Sequence, residues 1–135
     1  MTDKECTETG VPLVTIGIPV YNGAAYIAAT LDSVLAQSHE HLEIIVSDNA
    51  STDRTPEILE EYAERDSRIR LILNPTNLGA APNYNRTFAL ARGEFFKWAA
   101  HDDLCEPTFI STCVEALRND DRVVLAYPES EVIDV

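Results

Sequence analysis

Two adjacent acidic side chains, Asp102 and Asp103, lie at the end of the apolar stretch FFKWAAHDDL, which covers residues 95–104. Neighbouring carboxylates repel each other, and burying either without a partner is costly. A divalent cation could hold both, because hard ions such as Mg²⁺ are typically bound by one or two carboxylates with substrate phosphates completing the shell. The pair therefore suggests phosphate chemistry. On these residues alone, the alternative is that one acid caps the next helix and the other is solvated.

The composition limits the classes of function. A chain of 135 residues is one domain at most, and 45% hydrophobic with 24% charged residues is typical of a soluble globular protein. Lys and Arg total 10 against 23 Asp and Glu, a formal net charge of −13, which disfavours nucleic acid and anionic lipid surfaces as partners. Because few basic side chains are present to hold a bare phosphate, the same balance favours a bridging metal.

The cysteines and the chain start indicate the compartment. Cys6, Cys105 and Cys113 are odd in number and lack CxxC spacing, so neither a disulfide framework nor a zinc knuckle is supported. No apolar run approaches the roughly 20 residues that span a bilayer, and the start, MTDKECTETG, is not a secretion signal. We expect a cytoplasmic protein, peripheral to the membrane at most, with a flexible leader at 1–12 and a domain at 13–135.

The elements that must position the acids follow from apolar runs and helical spacing. Strands are predicted at 13–20, 42–46, 69–73, 94–100 and 123–127. Helices are predicted at 24–35, from Thr55 onward, at 81–92 and at 108–118. This alternation predicts an α/β fold with an open, mostly parallel sheet and helices on both faces.

Polar side chains follow each of the first four predicted strands. They are Tyr21-Asn22, Asp48-Asn49, Asn77 with Gly79, and Asp102-Asp103. Ligands of open α/β sheets bind outside the carboxyl ends of the strands. The sequence therefore predicts that these distant segments meet at one rim.

Four blocks resemble a known family in order and spacing: VTIGIPVYNGAAYI, EIIVSDNASTDRT, NLGAAPNYNRTFALARGEF and the strand that runs into HDDL. They resemble the nucleotide-binding half of family 2 glycosyltransferases, the inverting group with the GT-A fold, from about Val14 to the last residue. The resemblance implies metal-assisted transfer of a sugar, with inversion, from a UDP- or dTDP-linked donor to an acceptor hydroxyl. Domains of that family normally run much longer, so we expect the donor-binding half here, with the catalytic base beyond Val135.

The resemblance also implies roles for particular residues. Tyr21 would pack on the base, Asp48 would accept a hydrogen bond from it, and Asp103 would coordinate Mn²⁺ or Mg²⁺ bridging the diphosphate. Asp102 would contact the ribose or share the metal. The implied nucleotide site also includes Pro19, Asn22 and Asn85.

Several alternatives stay open at this stage. Tyr21 could be a rim-packing tyrosine, and Asp48 could form an Asx-type turn together with or instead of contacting the base. Two departures from the family pattern are Ala100, where many members carry another acid, and Tyr84, where arginine is common. Asn83, Asn85 and Arg86 could substitute in part for that arginine, although each is more simply a solvated or capping residue.

Other side chains are given structural roles. We expect His39 and His41 at the surface and Trp98 in the core rather than as a sugar platform, and a Cys105 thiolate suits zinc better than a phosphate-bridging hard ion.

The acceptor could be a glycan, a lipid-linked species or a protein, and a homodimer is one further option. The competing functions are a non-catalytic interaction domain and a sugar nucleotidyltransferase. The latter would need a basic, glycine-rich loop after the first strand, and residues 21–25 contain neither Lys nor Arg. A phosphotransfer receiver domain should carry its acid pair after the first strand rather than the fourth.

Overall fold

A computed structural model describes residues 10–134 of the chain. Strands and helices alternate along it. The order is β1 Val14–Val20, α1 Ile27–Leu35, β2 Leu42–Asp48, α2 Thr55–Arg65, β3 Ile69–Leu73, α3 Ala80–Ala89, β4 Phe95–Trp98 and α4 Phe109–Asn119. The first four predicted strands and all four predicted helices are confirmed.

The strands form one open sheet in the order β3-β2-β1-β4, and all neighbours are parallel. β1 and β2 are paired along their whole length, from Val14 opposite Leu42 to Val20 opposite Asp48. β4 is shorter, and its last paired residue, Trp98, lies opposite Gly17. The ends of β1 and β2 therefore project beyond the end of β4 at the carboxyl rim.

Helices cover both faces of the sheet, as the sequence predicts. Alternate apolar residues of β1 and β2 on one face pack with buried side chains of α1, α2 and α4 in the main core, including Leu31, Leu59 and Ile110. α3 covers the other face so closely that a Cβ added at Gly17 would lie 2.5 Å from Oγ1 of Thr87. Because both faces are covered, β1 and β2 are buried throughout, which explains their near-continuous apolar runs.

A buried carboxylate ties the sheet together at the end opposite the carboxyl rim. Glu43 is only 3% exposed, accepts a hydrogen bond from Oγ1 of Thr15 and forms ion pairs with Arg70 at 2.9 Å and Arg92 at 2.7 Å. Burial acts to raise the pKa of Glu43, but hydrogen bonds from Arg92, Thr15 and Arg70 outweigh it and hold that pKa below its ordinary value. This cluster links β1, β2, β3 and the segment before β4 at the end of the sheet opposite the carboxyl rim.

The prediction of a fifth strand is wrong for the residues that the structure describes. Residues 123–127 form no strand, and all of their side chains except that of Ala126 are exposed, with Val124 at 90% and Tyr127 at 81%. A strand is stabilised by a neighbouring strand, and an apolar, β-branched run without one does not form a ladder.

Trp98 and His39 also correct the sequence analysis. Trp98 is 44% exposed rather than core, because β4 is an edge strand and has no neighbour on its outer side within residues 10–134. His39 is buried rather than at the surface, because its Nε2 lies 2.9 Å from the carbonyl oxygen of Pro12, which gives the ring a partner.

The chain start is described only in part. Residues 1–9 of the predicted leader, with Cys6, lie outside the described residues. Next to them, Gly10 O accepts a hydrogen bond from Arg118.

Cys105 and Cys113 are free thiols. Between residues 10 and 134, none of the helices combines the length and apolar character required to cross a membrane.

Candidate functional site

The loop after β1 is built around Asn22, which adopts a left-handed conformation with φ 50°. Asparagine tolerates this region better than most residues, and its side chain can bond to nearby amides. Oδ1 of Asn22 accepts hydrogen bonds from the amides of Thr52 at 2.8 Å and Asp53 at 3.3 Å. The preceding residue, Tyr21, is left 45% exposed at the rim.

The backbone amides of the loop after β1 also donate hydrogen bonds to the loop after β2. The amides of residues 22, 23 and 24 donate to the Ser51 hydroxyl, the Thr55 hydroxyl and the Asp53 carboxylate, at 2.9, 2.9 and 3.1 Å. Three consecutive amides that could cradle a phosphate are thus occupied by the β2–α2 loop. This arrangement does not suit a nucleotidyltransferase phosphate loop, and it makes the loops after β1 and β2 a single unit.

Asp48 ends β2 and is 2% exposed. Its two carboxylate oxygens accept hydrogen bonds from Ser51, from the amide at 3.0 Å and from the hydroxyl at 2.6 Å, so the Asx-type turn is confirmed. A carboxylate oxygen can accept more than one hydrogen bond. The turn therefore fixes the orientation of Asp48 and leaves acceptor capacity for a ligand.

Asp102 and Asp103 lie in a tight turn closed by a 3.3 Å hydrogen bond from Asp103 N to Ala100 O. Both are exposed, and neither side chain forms a hydrogen bond or ion pair with any described residue. The helix-cap alternative is wrong, because α4 begins at Phe109 with Thr108 in the N-cap position. The chain leaves four carboxylate oxygens available at this turn.

These four oxygens can supply part of the ligand shell of a hard divalent cation. Among residues 10–134, no group of three or more His, Cys, Asp or Glu side chains is placed to hold a metal. Mg²⁺ commonly takes one or two carboxylates and completes its octahedron with waters and substrate phosphates. Asp102 and Asp103 match the protein share of such a shell, and the rest would come from a bound diphosphate.

His101 joins this turn to the loop after β1. A Cβ added at Gly23 would lie 2.8 Å from Cδ2 of His101, so the imidazole packs directly on the glycine. The carbonyl oxygen of His101 accepts a 2.7 Å hydrogen bond from Oγ1 of Thr30 in α1. Since Val20, at the end of β1, lies opposite Asp48 in the sheet, the structure brings all three segments to one rim.

Comparison with known proteins decides the family. The family model described as "Glycosyl transferase family 2" matches residues 15–132. The chain belongs to this family.

Solved structures agree with the assignment and confirm the GT-A fold class. TarS of S. aureus (residues 1–349), solved in complex with UDP, superposes with a TM-score of 0.72 at 26% identity, covering 78% of this chain and 32% of TarS. The mannosyltransferase PcManGT from Pyrobaculum calidifontis, solved with GDP-Man and Mn²⁺, gives a TM-score of 0.73 at 30% identity, covering 85% of this chain and 35% of PcManGT.

A curated relative also carries the family name. It is a putative teichuronic acid biosynthesis glycosyltransferase, TuaG of Bacillus subtilis, which is 41% identical over 92 residues, covering 68% of this chain and 36% of TuaG. The chain spans 38% of the length of the first curated relatives it matches.

Two further residues that the family resemblance selects lie in β1 and α3. Pro19 is buried within β1, where it lies opposite Ser47. Asn85 is exposed on α3. Tyr84, which stands where arginine is common in the family, packs against Trp98 with ring centroids 5.9 Å apart.

A buried network of amide and hydroxyl side chains at the rim was missed by sequence reasoning. Asn83 is 3% exposed, not solvated, and its Oδ1 accepts hydrogen bonds from Ser47 Oγ at 2.7 Å and Asn74 Nδ2 at 2.9 Å. Asn74 Nδ2 also donates to Oδ1 of Asn49 at 3.3 Å. The signal was the repeated occurrence of asparagine after the second and third strands, at positions 49, 74 and 77. The network joins the ends of β2 and β3 to α3.

Proposed function

We propose that this chain binds the donor of a metal-assisted, inverting glycosyltransferase, a nucleoside diphosphate sugar linked to UDP or dTDP. The observation that carries the proposal is the shared rim, where Tyr21, Asp48 and the Asp102-Asp103 turn end three neighbouring strands. The UDP complex of TarS and the GDP-Man complex of PcManGT support a nucleotide-sugar ligand for a chain of this fold.

Each rim residue has a task that its chemistry suits. The exposed ring of Tyr21 stacks on the base, since an aromatic face is flat and amphipathic. Asp48, oriented by Ser51, accepts a hydrogen bond from a ring N–H of the base. Asn22 contributes mainly by holding the loop, because its Oδ1 is already bonded to two amides.

The metal would be Mn²⁺ or Mg²⁺, held by Asp103 and shared with Asp102, which alternatively contacts the ribose. When bound, it stabilises the charge that develops on the departing diphosphate as a Lewis acid. The chain offers few other groups to neutralise the charge of that diphosphate. Its net charge is −13, and the backbone amides of residues 22–24 are already hydrogen-bonded to the β2–α2 loop.

The reaction is direct displacement at the sugar carbon by an acceptor hydroxyl that a general base deprotonates. We assign donor binding to the described residues. The acceptor site and the general base are not assigned to them. The likeness to TuaG, whose name gives a role in teichuronic acid biosynthesis, favours a role in the biosynthesis of a cell-envelope polysaccharide.

The test is a calorimetric titration with UDP, dTDP and GDP, each with and without Mn²⁺. We expect binding that depends on Mn²⁺, and Asp103→Ala to weaken it by on the order of a hundredfold, the cost of a lost charged ligand. Asp121→Ala, which removes an exposed acid just after α4, is the matched control and should bind as the parent does. No binding of any nucleotide at millimolar concentration, or equal Mn²⁺ dependence in Asp103→Ala, would refute the proposal.

The exposed apolar surface beside β4 favours a second candidate role, self-association of the domain. Phe88 and Trp98 are 58% and 44% exposed, and β4 is a free edge among the described strands. Exposed apolar patches of this kind mark protein contacts. Light scattering separates the two: a nucleotide-free homodimer supports an interaction domain, whereas a monomer that binds nucleotide supports the donor site alone.

A further inference from the structure

Three polar side chains lie in a row along one side of α1 and the residues just after it. Thr30, Ser33 and Gln37 are spaced three and four residues apart, which in a helix places side chains on the same face. Thr30 is 1% exposed and Gln37 is 3% exposed. Buried polar groups are normally hydrogen-bonded, so both require a partner nearby. We call these three residues the polar row of α1.

The first two residues of the polar row bond to the backbone on either side of the Asp102-Asp103 turn. Oγ1 of Thr30 donates a hydrogen bond to the carbonyl oxygen of His101 at 2.7 Å. Oγ of Ser33 accepts a hydrogen bond from the amide of Cys105 at 3.2 Å. The two acids therefore lie between two points at which α1 holds the chain.

Gln37 extends this attachment to the start of α4. Its Nε2 donates to Glu106 O at 2.7 Å, and its Oε1 accepts a hydrogen bond from Ile110 N at 3.1 Å. The next residue, Ser38, donates from its amide to Pro107 O at 2.8 Å. All of these partners lie within residues 101–110, so one side of α1 holds the connection from the acidic turn to α4.

The carboxylates of Asp102 and Asp103 depend on this backbone for their position. Residues 101–108 form neither helix nor strand, and the two exposed carboxylates bond to none of residues 10–134. A metal ion requires its ligands at defined positions, and Mg²⁺ demands a nearly ideal octahedron. A segment that is held in place before binding avoids the entropy cost of being ordered by the ligand.

We propose that the polar row of α1 positions the Asp102-Asp103 turn, with Thr30 as the main positioning residue. Its hydrogen bonds fix the backbone on both sides of the acids, so the carboxylates are in place before the metal and the diphosphate arrive. The inference rests on the proposed donor site. It adds a role for α1, to which the proposed function assigns none.

The experiment measures how strongly Mn²⁺ enhances the binding of a nucleoside diphosphate. Calorimetry gives the affinity for the tightest of UDP, dTDP and GDP, once with Mn²⁺ and once with EDTA instead, and the ratio of the two affinities is the metal factor. A change that weakens nucleotide binding in general lowers both affinities and leaves the metal factor unchanged. Thr30→Val removes the hydroxyl, and Thr30→Ser keeps it.

Thr15→Val is the matched control. Thr15 is 0% exposed, and its hydroxyl bonds to the Glu43 carboxylate and to Gly93 N, both at 2.9 Å, at the end of the sheet opposite the carboxyl rim. Each valine variant leaves a partner without its hydrogen bond, so both should melt at a temperature lower by roughly 5 °C. Melting temperatures are therefore measured for every variant.

We expect Thr30→Val to lower the metal factor by roughly tenfold, which is the lower end of the loss in metal affinity when a group supporting a ligand is removed. Ser33→Ala should lower it by roughly fourfold, because the hydrogen bond that it removes is longer. Thr30→Ser and Thr15→Val should keep the metal factor of the parent.

The outcomes separate this inference from the donor site. If Mn²⁺ does not enhance nucleotide binding by the parent, the proposed function fails and this inference fails with it. If it does, and Thr30→Val keeps the metal factor of the parent, only the positioning role is overturned.

The same conclusion follows if Thr15→Val loses as much of the metal factor as Thr30→Val, or if Thr30→Ser loses as much as Thr30→Val. Should Thr30→Val fail to fold, Ser33→Ala decides: a lowered metal factor supports the positioning role, and an unchanged one overturns it.

Discussion

Substitution of Gly23 by alanine tests whether the loop after β1 and the Asp102-Asp103 turn form one site. The added Cβ would lie 2.6 Å from Cγ2 of Val20 and 2.8 Å from Cδ2 of His101. Val20 is 1% exposed and belongs to the main core, whereas His101 is the partly exposed end of the acidic turn. The imidazole is therefore the neighbour that can move, whereas the overlap with Val20 must be relieved by a shift of the loop after β1.

The size of the effect follows from that overlap. Ordinary van der Waals contact begins at 3.4 Å, so the ring must retreat by at least about 0.6 Å, and the new methyl group must also move away from Val20 by about 0.8 Å. Overpacking of this kind lowers the free energy of unfolding by about 2 kcal/mol. For a domain of this length, the melting temperature should fall by roughly 5–10 °C. A misplacement of about 1 Å can cost on the order of a hundredfold where geometry is critical, so we expect about tenfold weaker Mn²⁺-dependent nucleotide binding.

The assay pairs thermal unfolding with the calorimetric titration. Gly93→Ala serves as the control, because its added Cβ would lie 2.6 Å from the backbone nitrogen of Thr15 at the opposite end of the sheet. That variant should lose stability to at least the same degree and keep its nucleotide affinity. If Gly23→Ala is destabilised but binds nucleotide and Mn²⁺ as the parent does, the coupling between the two segments is refuted.

Two further predictions concern stability. Glu43→Gln should lower the free energy of unfolding at pH 7 by about 2 kcal/mol. The folded pKa of Glu43 lies below the ordinary value of 4.5, so its contribution is complete above about pH 4.5 and is lost as the pH falls through the folded pKa. Chemical denaturation from pH 3 to 7 should thus show a gap between parent and variant that narrows in acid, and a constant gap would contradict the assignment. Asn22→Ala should lower the free energy of unfolding by about 2 kcal/mol, and Asn22→Gly by about half as much. Glycine accepts φ 50° and therefore loses only the hydrogen bonds of the side chain. Equal losses for the two variants in urea unfolding would show that the left-handed conformation contributes nothing.

The buried strands were predictable because burial leaves a direct mark on sequence. β1 and β2 are covered on both faces, so their apolar runs identify them with little ambiguity. The same signal misled at residues 123–127, where an apolar run has no partner strand among the described residues. Composition reports what a segment could bury and not whether a neighbour is present to bury it.

The rim was predictable in outline and not in detail. Strand ends indicate that Tyr21, Asp48 and Asp103 share an edge of the sheet. The contact between Ser47 and Asn83 spans 36 positions, and the choice between a solvated and a buried asparagine depends on packing that no local pattern records. His39 illustrates the same limit, because its partner is a backbone carbonyl at Pro12.

We propose that one rim of the sheet binds a nucleotide and a divalent metal together. Paramagnetic Mn²⁺ broadens nearby amide resonances, so a two-dimensional NMR spectrum with Mn²⁺ and the bound nucleoside diphosphate locates the metal directly. Broadening concentrated at 21–24, 48–52 and 101–104, with resonances of Arg68 and Gly93 unaffected, is the result predicted. Broadening spread over the exposed acids of α2, Glu57, Glu60, Glu61 and Glu64, or none that depends on the nucleotide, would contradict this proposal.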